Sequence, residues 1–174
     1  TLPADDKEWL ALARERFEEN RADRQATADV HACSPLAALA ADQALKPYLA
    51  WAAAQIAPHL DMQSWQQPYC PVCGGAPDFA FLEEEAGARH LVCSRCNSQW
   101  RYRRVGCPFC GADAPGQIVY YPSADEVYRL YVCRNCRRYL KTRDLRKGGG
   151  PAVAEVERIT TVAMDAAARQ EGYC

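Results

Sequence analysis

Four Cys-x-x-Cys motifs occupy the middle of this 174-residue chain and constrain its fold more than any other feature. Eight of the ten cysteines belong to them; residues 74–92 separate the first two motifs, and residues 111–132 the last two. One such turn supplies two thiolates, and a β-hairpin brings a second turn opposite the first, so the pattern predicts metal binding. Consecutive motifs are expected to pair, with a cross-braced arrangement as the alternative. The predicted ligands are Cys70, Cys73, Cys93 and Cys96 for one ion, and Cys107, Cys110, Cys133 and Cys136 for the other.

The first motif of each pair has the form Cys-Pro-x-Cys-Gly, at 70–74 and 107–111. Proline fixes the backbone after the first ligand, and glycine after the second can take a positive φ. Such a turn can point backbone N–H groups at the sulfurs, which stabilises negative charge on the thiolates. The second motif of each pair lacks this form, so each unit joins a Cys-Pro-x-Cys-Gly knuckle to a plainer one.

Four thiolates suit zinc or iron equally, so the spacing predicts two ions, zinc or iron, without choosing between them. With iron the units would be rubredoxin-like and could carry electrons. A thioredoxin-like redox function needs one exposed pair and does not explain four. A closed four-cysteine site has no open coordination position, which makes hydrolytic catalysis a poor fit. The chain also lacks a glycine-rich phosphate loop, a GxSxG elbow and an HExxH motif, so no enzymatic activity is predicted.

Hydrophobic periodicity divides the chain into helical ends and a β-rich middle. Residues 5–25 predict an amphipathic helix, and a second helical region begins at Ser34-Pro35, is kinked or broken at Pro47 and stops near Pro58. Its apolar stripe, including Leu49, Ala53 and Ile56, is expected to pack in the core.

From residue 68 the pattern changes to short strands and turns, and it occurs twice. Each repeat predicts a hairpin followed by a third strand, over 79–93 and 99–105, and then over 117–133 and 138–144. A final helix follows the flexible segment 147–151, with Val153, Val156, Ile159, Ala163 and Ala167 on one face.

The predicted fold class is therefore α+β, with an N-terminal helical part, two tandem rubredoxin-like or zinc-ribbon modules and a C-terminal helix. Its predicted divisions are a helical region at 1–66, metal modules at 67–105 and 106–147, and a linker with the last helix at 148–174. No apolar run is long enough to span a membrane, and the acidic N-terminus is not that of a signal peptide, so a cytoplasmic protein is predicted. A start at Thr1 without methionine suggests that upstream sequence is missing.

Residues 67–150 carry 13 basic and 8 acidic side chains, a balance of +5. Eight thiolates around two divalent ions would reduce that balance to about +1, so the basic character mostly compensates the metal sites. Arginines and aromatic residues cluster around the ribbons and admit three interpretations: charge compensation, nucleic-acid binding, or a protein-docking surface. The candidate docking residues are Trp100, Arg101, Arg103, Arg104, Arg137, Arg138 and Tyr139.

The order CPVCGGAP, GARHLVCSRCNSQWRYRRVGCPFCG and YVCRNCRRYLKTRDL, followed by a last helix that ends in EGY, resembles the formate dehydrogenase accessory protein family (FdhE). The similarity runs from about Ser34 to Tyr173. It includes Trp100 after the second motif, Arg104 before the third and Tyr139-Leu140-Lys141 after the fourth.

This resemblance implies a non-enzymatic, cytoplasmic maturation factor or chaperone with two rubredoxin-like metal modules. It implies docking on the catalytic subunit of a formate dehydrogenase, which carries molybdenum cofactor and an iron–sulfur cluster. A homo-oligomer is compatible with the resemblance, and insertion into a membrane is not expected. The alternatives are a rubredoxin-like iron electron carrier and, less favoured, a nucleic-acid-binding zinc ribbon. Compared with the family, the chain is shorter at its N-terminus, and Glu155 and Glu157 only partly replace adjacent aspartates.

Overall fold

Two helices precede the sheet in the computed structural model, which describes residues 5–22, 36–148 and 150–174. Helix α1 spans Asp6–Ala22, and Asp5 caps it by accepting the backbone N–H groups of Lys7 and Glu8 at 2.9 Å. Helix α2 spans Leu36–Ile56 and is followed by a 3₁₀ turn at Ala57–His59. The predicted cap at Ser34-Pro35 and residues 23–25 lie outside the described residues.

Helix α2 runs through Pro47, so the predicted break at this proline is absent. Pro47 is exposed, and the carbonyl that loses its partner belongs to exposed Gln43, where water can replace the missing N–H. Among the helices that the structure describes, none has both the length and the apolar character needed to cross a bilayer.

Six strands form one sheet in the order β3-β2-β1-β6-β5-β4. Their bounds are Pro77–Leu82 (β1), Arg89–Cys93 (β2), Gln99–Tyr102 (β3), Ile118–Pro122 (β4), Tyr128–Cys133 (β5) and Tyr139–Asp144 (β6). Each predicted hairpin is present, and Gly87 takes the positive φ of 63° that the first turn requires. The strands within each repeat pair antiparallel, as expected for a meander.

A parallel pairing joins the two repeats into this single sheet. Strand β1 lies beside β6, with Phe79 opposite Lys141 and Leu82 opposite Asp144. The α+β class, with two ribbon units and helices at both ends, is confirmed. The division at residues 67, 106 and 148 stays a prediction, because one continuous sheet runs through both metal-binding segments.

The two faces of the sheet have different covers. One face carries Leu91, Trp100 and Leu140 in a buried cluster with Ala53 of α2. The opposite face carries Phe79, Phe81 and Val92, which pack with Ala154, and Leu130 and Val132, which pack with Ala168. Helix α2 itself is only partly buried: Ala53 is inaccessible, Leu49 is half-buried and Ile56 is exposed, so its stripe enters the core only in part.

The last helical segment consists of two helices, α3 at Ala154–Thr160 and α4 at Val162–Gln170, instead of the one predicted. Polar residues hold them to the sheet. Buried Glu157 pairs with Arg143 and accepts the Tyr128 hydroxyl at 2.7 Å. The Asp165 carboxylate accepts hydrogen bonds from the Lys141 ammonium at 2.7 Å and from the Tyr139 hydroxyl at 2.8 Å.

The apolar face predicted for this segment is exposed to solvent. Val153 is 50% exposed, Val156 56% and Ile159 75%. Sequence periodicity identified the face correctly, but the buried carboxylate contacts turn the opposite side of the helices toward the sheet.

Replacing Asp144 with asparagine should lower the free energy of unfolding by about 2 kcal/mol at neutral pH. Asp144 is fully buried and pairs with Arg146 at 2.7 Å and Arg129 at 2.6 Å. Hydrogen bonds from Arg146, with the charge of Arg129, hold the pKa of Asp144 below its ordinary value. A carboxylate of lowered pKa stabilises the fold above the unfolded-state pKa of about 3.9, and loses that effect as pH falls through the folded-state pKa.

The penalty of this substitution should therefore be constant between pH 6 and 8, which urea unfolding at several pH values can measure. Asp113→Asn, at an exposed position, should change stability by less than about 0.5 kcal/mol. Equal stability of Asp144→Asn and the unaltered protein would contradict the prediction.

Candidate metal centres

The first cysteine cluster lies where the turn before β1 meets the turn between β2 and β3. The Cys70 and Cys96 sulfurs are 3.5 Å apart, and those of Cys73 and Cys93 are 3.4 Å apart. All four sulfurs lie within 4.8 Å of one another. Thiolates bound at about 2.3 Å to one tetrahedral ion would be about 3.8 Å apart, so this cluster could hold a single ion.

The second cluster repeats this arrangement in the other half of the sheet. The sulfurs of Cys107 and Cys136 are 3.6 Å apart, and those of Cys110 and Cys133 are 3.7 Å apart. These four sulfurs also lie within 4.8 Å of one another. The structure thus groups the eight cysteines by consecutive motifs, and the cross-braced alternative is wrong.

Local backbone geometry explains how each knuckle forms. Gly74 and Gly111 both have a φ of 74°, and each donates its N–H to the carbonyl of the first cysteine in its motif at 3.0 Å. The plainer knuckles achieve the same turn with non-glycine residues, Asn97 at φ 59° and Arg137 at φ 57°. These two positions were not predicted from the sequence, although asparagine adopts a positive φ more often than most residues.

Backbone N–H groups point at sulfur in both clusters. Gly75 donates to the Cys73 sulfur, Arg95 to that of Cys93 and Phe109 to that of Cys107, each at 3.4 Å. In the first cluster, both the proline-containing knuckle and the plainer knuckle contribute such a bond. These bonds favour the thiolate form that a metal requires.

Neighbouring sulfur atoms raise the pKa of two buried cysteines, Cys93 and Cys107. The pKa of Cys93 is raised by hydrogen bonding with Cys70 and then by the other two sulfurs and burial. That of Cys107 is raised by Cys136 and then by burial. Four crowded sulfurs cannot all ionise unless a positive ion lies between them, so the clusters have the chemistry of a divalent metal site. Soft ligands alone favour zinc or iron over a hard ion such as magnesium.

The two clusters differ in their access to solvent. Cys70, Cys93 and Cys96 are buried in the first, and Cys73 is half-buried. In the second cluster Cys107 and Cys133 are buried, whereas Cys110 is exposed and Cys136 half-buried. The exposed Cys110 sulfur accepts a bond from the amide of Asn135 at 3.5 Å.

The candidate docking residues fall into two groups. Arg101, Arg103, Arg104, Arg137 and Arg138 are exposed. Trp100 is 1% exposed, and its indole N–H donates to the Gln67 carbonyl at 2.8 Å. A surface role for Trp100 is therefore wrong in this structure, because the alternation of β3 directs its ring into the core.

Tyr139 is half-buried, and its hydroxyl donates to Asp165, so it acts mainly within the fold. Among the exposed arginines, several already have contacts inside the chain. Arg138 lies 4.0 Å from the Phe109 ring centroid and Arg137 4.1 Å from that of Tyr173. Arg103 pairs with Asp113 at 3.1 Å.

A polar link that sequence analysis missed connects α3 to the first cluster. Arg158 pairs bidentately with Asp78 at 2.7 and 2.8 Å and donates to the side chain of Asn97 at 2.8 Å. It also donates to the carbonyl of the ligand residue Cys93 at 3.0 Å. Nothing in the spacing of the motifs indicates this contact.

Residues 69–104, which contain the whole first cluster, match the family model described as FdhE, central domain. The central part of the chain is thus similar to FdhE proteins. An FdhE homolog from Aquifex aeolicus is 37% identical over 115 residues, which are 64% of this chain and 40% of that protein. Protein FdhE from Escherichia coli O1:K1 / APEC is 33% identical over 113 residues, 62% of this chain and 35% of that protein.

The fold also resembles that of the FdhE protein from Pseudomonas aeruginosa in its crystal structure. The TM-score is 0.62 at 23% identity, with 99% of this chain and 63% of that chain covered. At this identity the likeness concerns the fold. The matched part corresponds to about two fifths of the length of the curated FdhE relatives.

Proposed function

We propose that this chain is a member of the FdhE family, binds two metal ions, zinc or iron, and acts without catalysis in the maturation of a formate dehydrogenase in the cytoplasm. The proposed ligands are the eight cysteines of the two clusters. The proposed partner is the catalytic subunit of the dehydrogenase, which carries molybdenum cofactor and an iron–sulfur cluster. The similarity of the central part of the chain to FdhE proteins is the observation that carries this proposal.

The site geometry supports a structural role for the ions. Each cluster offers four thiols, so an ion bound by all four has no open position for a substrate. Each cluster also connects two turns that flank the strands of one repeat. Bound ions would therefore hold the sheet and its surface in shape for another protein. Neither the electron-carrier nor the nucleic-acid alternative is favoured by the similarity to FdhE proteins.

We assign docking to the exposed arginines around β3 and the second cluster. Arg101 and Arg104 lie on and just beyond β3 and are exposed, and Arg137 and Arg138 follow Cys136. Arginine is enriched at the anchoring positions of protein interfaces. Trp100 and Tyr139 support this surface from inside the fold and are left out of the proposed contact.

Immobilised protein prepared without oxygen should retain the catalytic subunit of a formate dehydrogenase from solution. The double substitution Arg101→Glu and Arg104→Glu should weaken retention at least tenfold, because it places negative charge in the proposed contact. Arg14→Glu reverses an exposed charge on α1, which is not part of the ribbons, and should leave retention unchanged.

Surface plasmon resonance with the purified subunit measures the dissociation constant of each variant, and circular dichroism verifies that the variants fold. Absence of retention by the unaltered protein would contradict the proposed function. Equal retention by all variants would contradict the docking surface alone.

A further inference from the structure

Arg89, the first residue of β2, is a buried cation without an anionic partner among the described residues. It is 1% exposed, and no carboxylate of the described chain lies within ion-pair distance of it. Other buried basic residues of the sheet do have such partners: Lys141 pairs with Asp165, and Arg143 with Glu157. Guanidinium does not lose its proton in proteins, so Arg89 brings a full positive charge into the interior.

The contacts of Arg89 compensate only part of this charge. Its Nη1 donates to the Gly106 carbonyl at 3.3 Å, and its guanidinium carbon lies 5.3 Å from the centroid of the Tyr131 ring. Its Nε and Nη2 atoms are buried and have no hydrogen-bond acceptor. Burial of an uncompensated charge is costly, so a negative group is expected nearby.

The surroundings of Arg89 restrict what that negative group can be. Arg89 lines a cavity of about 10 Å³ together with Gly106, Cys107, Tyr131, Cys133 and Arg138. This volume holds at most about one water molecule, so a carboxylate ligand does not fit. The lining contains no aspartate or glutamate, and its two candidate anions are the sulfurs of Cys107 and Cys133.

The residue that accepts the hydrogen bond of Arg89 is adjacent in sequence to a ligand of the second cluster. Gly106, whose carbonyl accepts the Arg89 donor, directly precedes the ligand residue Cys107. A divalent ion held by four thiolates has a net charge of −2. Arg89 would face the side of this charge that is held by the buried Cys107 and Cys133.

We propose that Arg89, which belongs to the first ribbon, is the buried counter-cation of the second four-cysteine centre. The inference rests on the proposed binding of an ion by Cys107, Cys110, Cys133 and Cys136. It makes the metal affinity of the second centre depend on a residue of the other ribbon. It also accounts for a buried cation that has no carboxylate.

Zinc competition against a chromophoric chelator tests this proposal in the full chain. The unaltered protein should bind two ions, and Cys110→Ser identifies which dissociation constant belongs to the second centre. Arg89→Met keeps an unbranched side chain like the aliphatic part of arginine but removes the charge, so it should weaken binding at the second centre about 10–100-fold and leave the first unchanged. Arg89→Lys keeps the charge and should retain both constants within about threefold.

Arg101→Met is the matched control, because it removes one exposed positive charge from the same ribbon. Both its constants should stay within about threefold of those of the unaltered protein. Unchanged constants in Arg89→Met, equal weakening of both centres, or equal weakening by Arg89→Lys would overturn the proposal. Failure of the unaltered protein to bind a second ion would instead contradict the metal assignment itself.

An NMR titration of the unaltered protein covers the case in which Arg89→Met does not fold. In protein whose first centre is already filled, the Nε–H signal of Arg89 should shift as the second centre fills. A signal that ignores the second equivalent of zinc would equally overturn the proposal.

Discussion

Cys93→Ser is expected to remove one metal ion per chain and to unfold the first ribbon. Cys93 is fully buried at the end of β2, and its sulfur lies 3.4 Å from that of Cys73. Binding of a structural zinc ion contributes about 10–16 kcal/mol in small zinc domains, and much of this is folding free energy. The free energy lost with the ion should therefore be comparable to the whole stability of an ordinary domain, about 5–15 kcal/mol.

Elemental analysis and thermal unfolding followed by circular dichroism measure this effect. Cys174→Ser is the matched control, because Cys174 is exposed and lies outside both clusters. It should keep two ions per chain and an unchanged unfolding temperature. A Cys93→Ser protein that keeps two ions and the original unfolding temperature would show that the first cluster is not a metal centre.

Glu157→Ala is expected to lower the free energy of unfolding by about 3–5 kcal/mol. The Glu157 and Arg143 side chains are only 5% and 6% exposed, and Glu157 also accepts the Tyr128 hydroxyl. Alanine removes the carboxylate and leaves the Arg143 charge buried, which costs much more than loss of a surface pair. Because Glu157 joins α3 to the sheet, both C-terminal helices should become less protected.

Urea unfolding gives the free energy, and amide hydrogen exchange gives the protection of α3 and α4. Glu155→Ala on the same helix is the control, since Glu155 is exposed and its bond to Asn97 lies at the surface. It should cost less than about 1 kcal/mol. Equal costs for the two substitutions would mean that the buried pair does not hold the helices in place.

Local signals in the sequence were sufficient to predict the two ribbons. The repeated Cys-x-x-Cys spacing identified which cysteines come together, since each knuckle and hairpin is closed by contacts between residues near in sequence. Gly87 and the alternation within 99–102 placed the first hairpin and β3. The positive φ expected after each Cys-Pro-x-Cys motif is present at Gly74 and Gly111.

Features that depend on contacts distant in sequence could not be predicted in this way. Periodicity shows that Val156 and Ile159 share a helix face, but Glu157 and Asp165 decide that this face lies outward. Trp100 was placed at the surface by its arginine neighbours, although it lies on the buried side of β3. Arg89 alternates with Leu91 and Cys93 along β2 and is buried with them, a position that was not predicted from the sequence.

The parallel pairing of β1 with β6 has a consequence for synthesis of the chain. Phe79 lies beside Lys141, so during translation the inner edge of the first ribbon has no neighbour until β6 has emerged from the ribosome. Bare strand edges readily associate with other chains. We therefore expect truncated nascent chains that end before residue 139 to aggregate, even when their first four cysteines are intact.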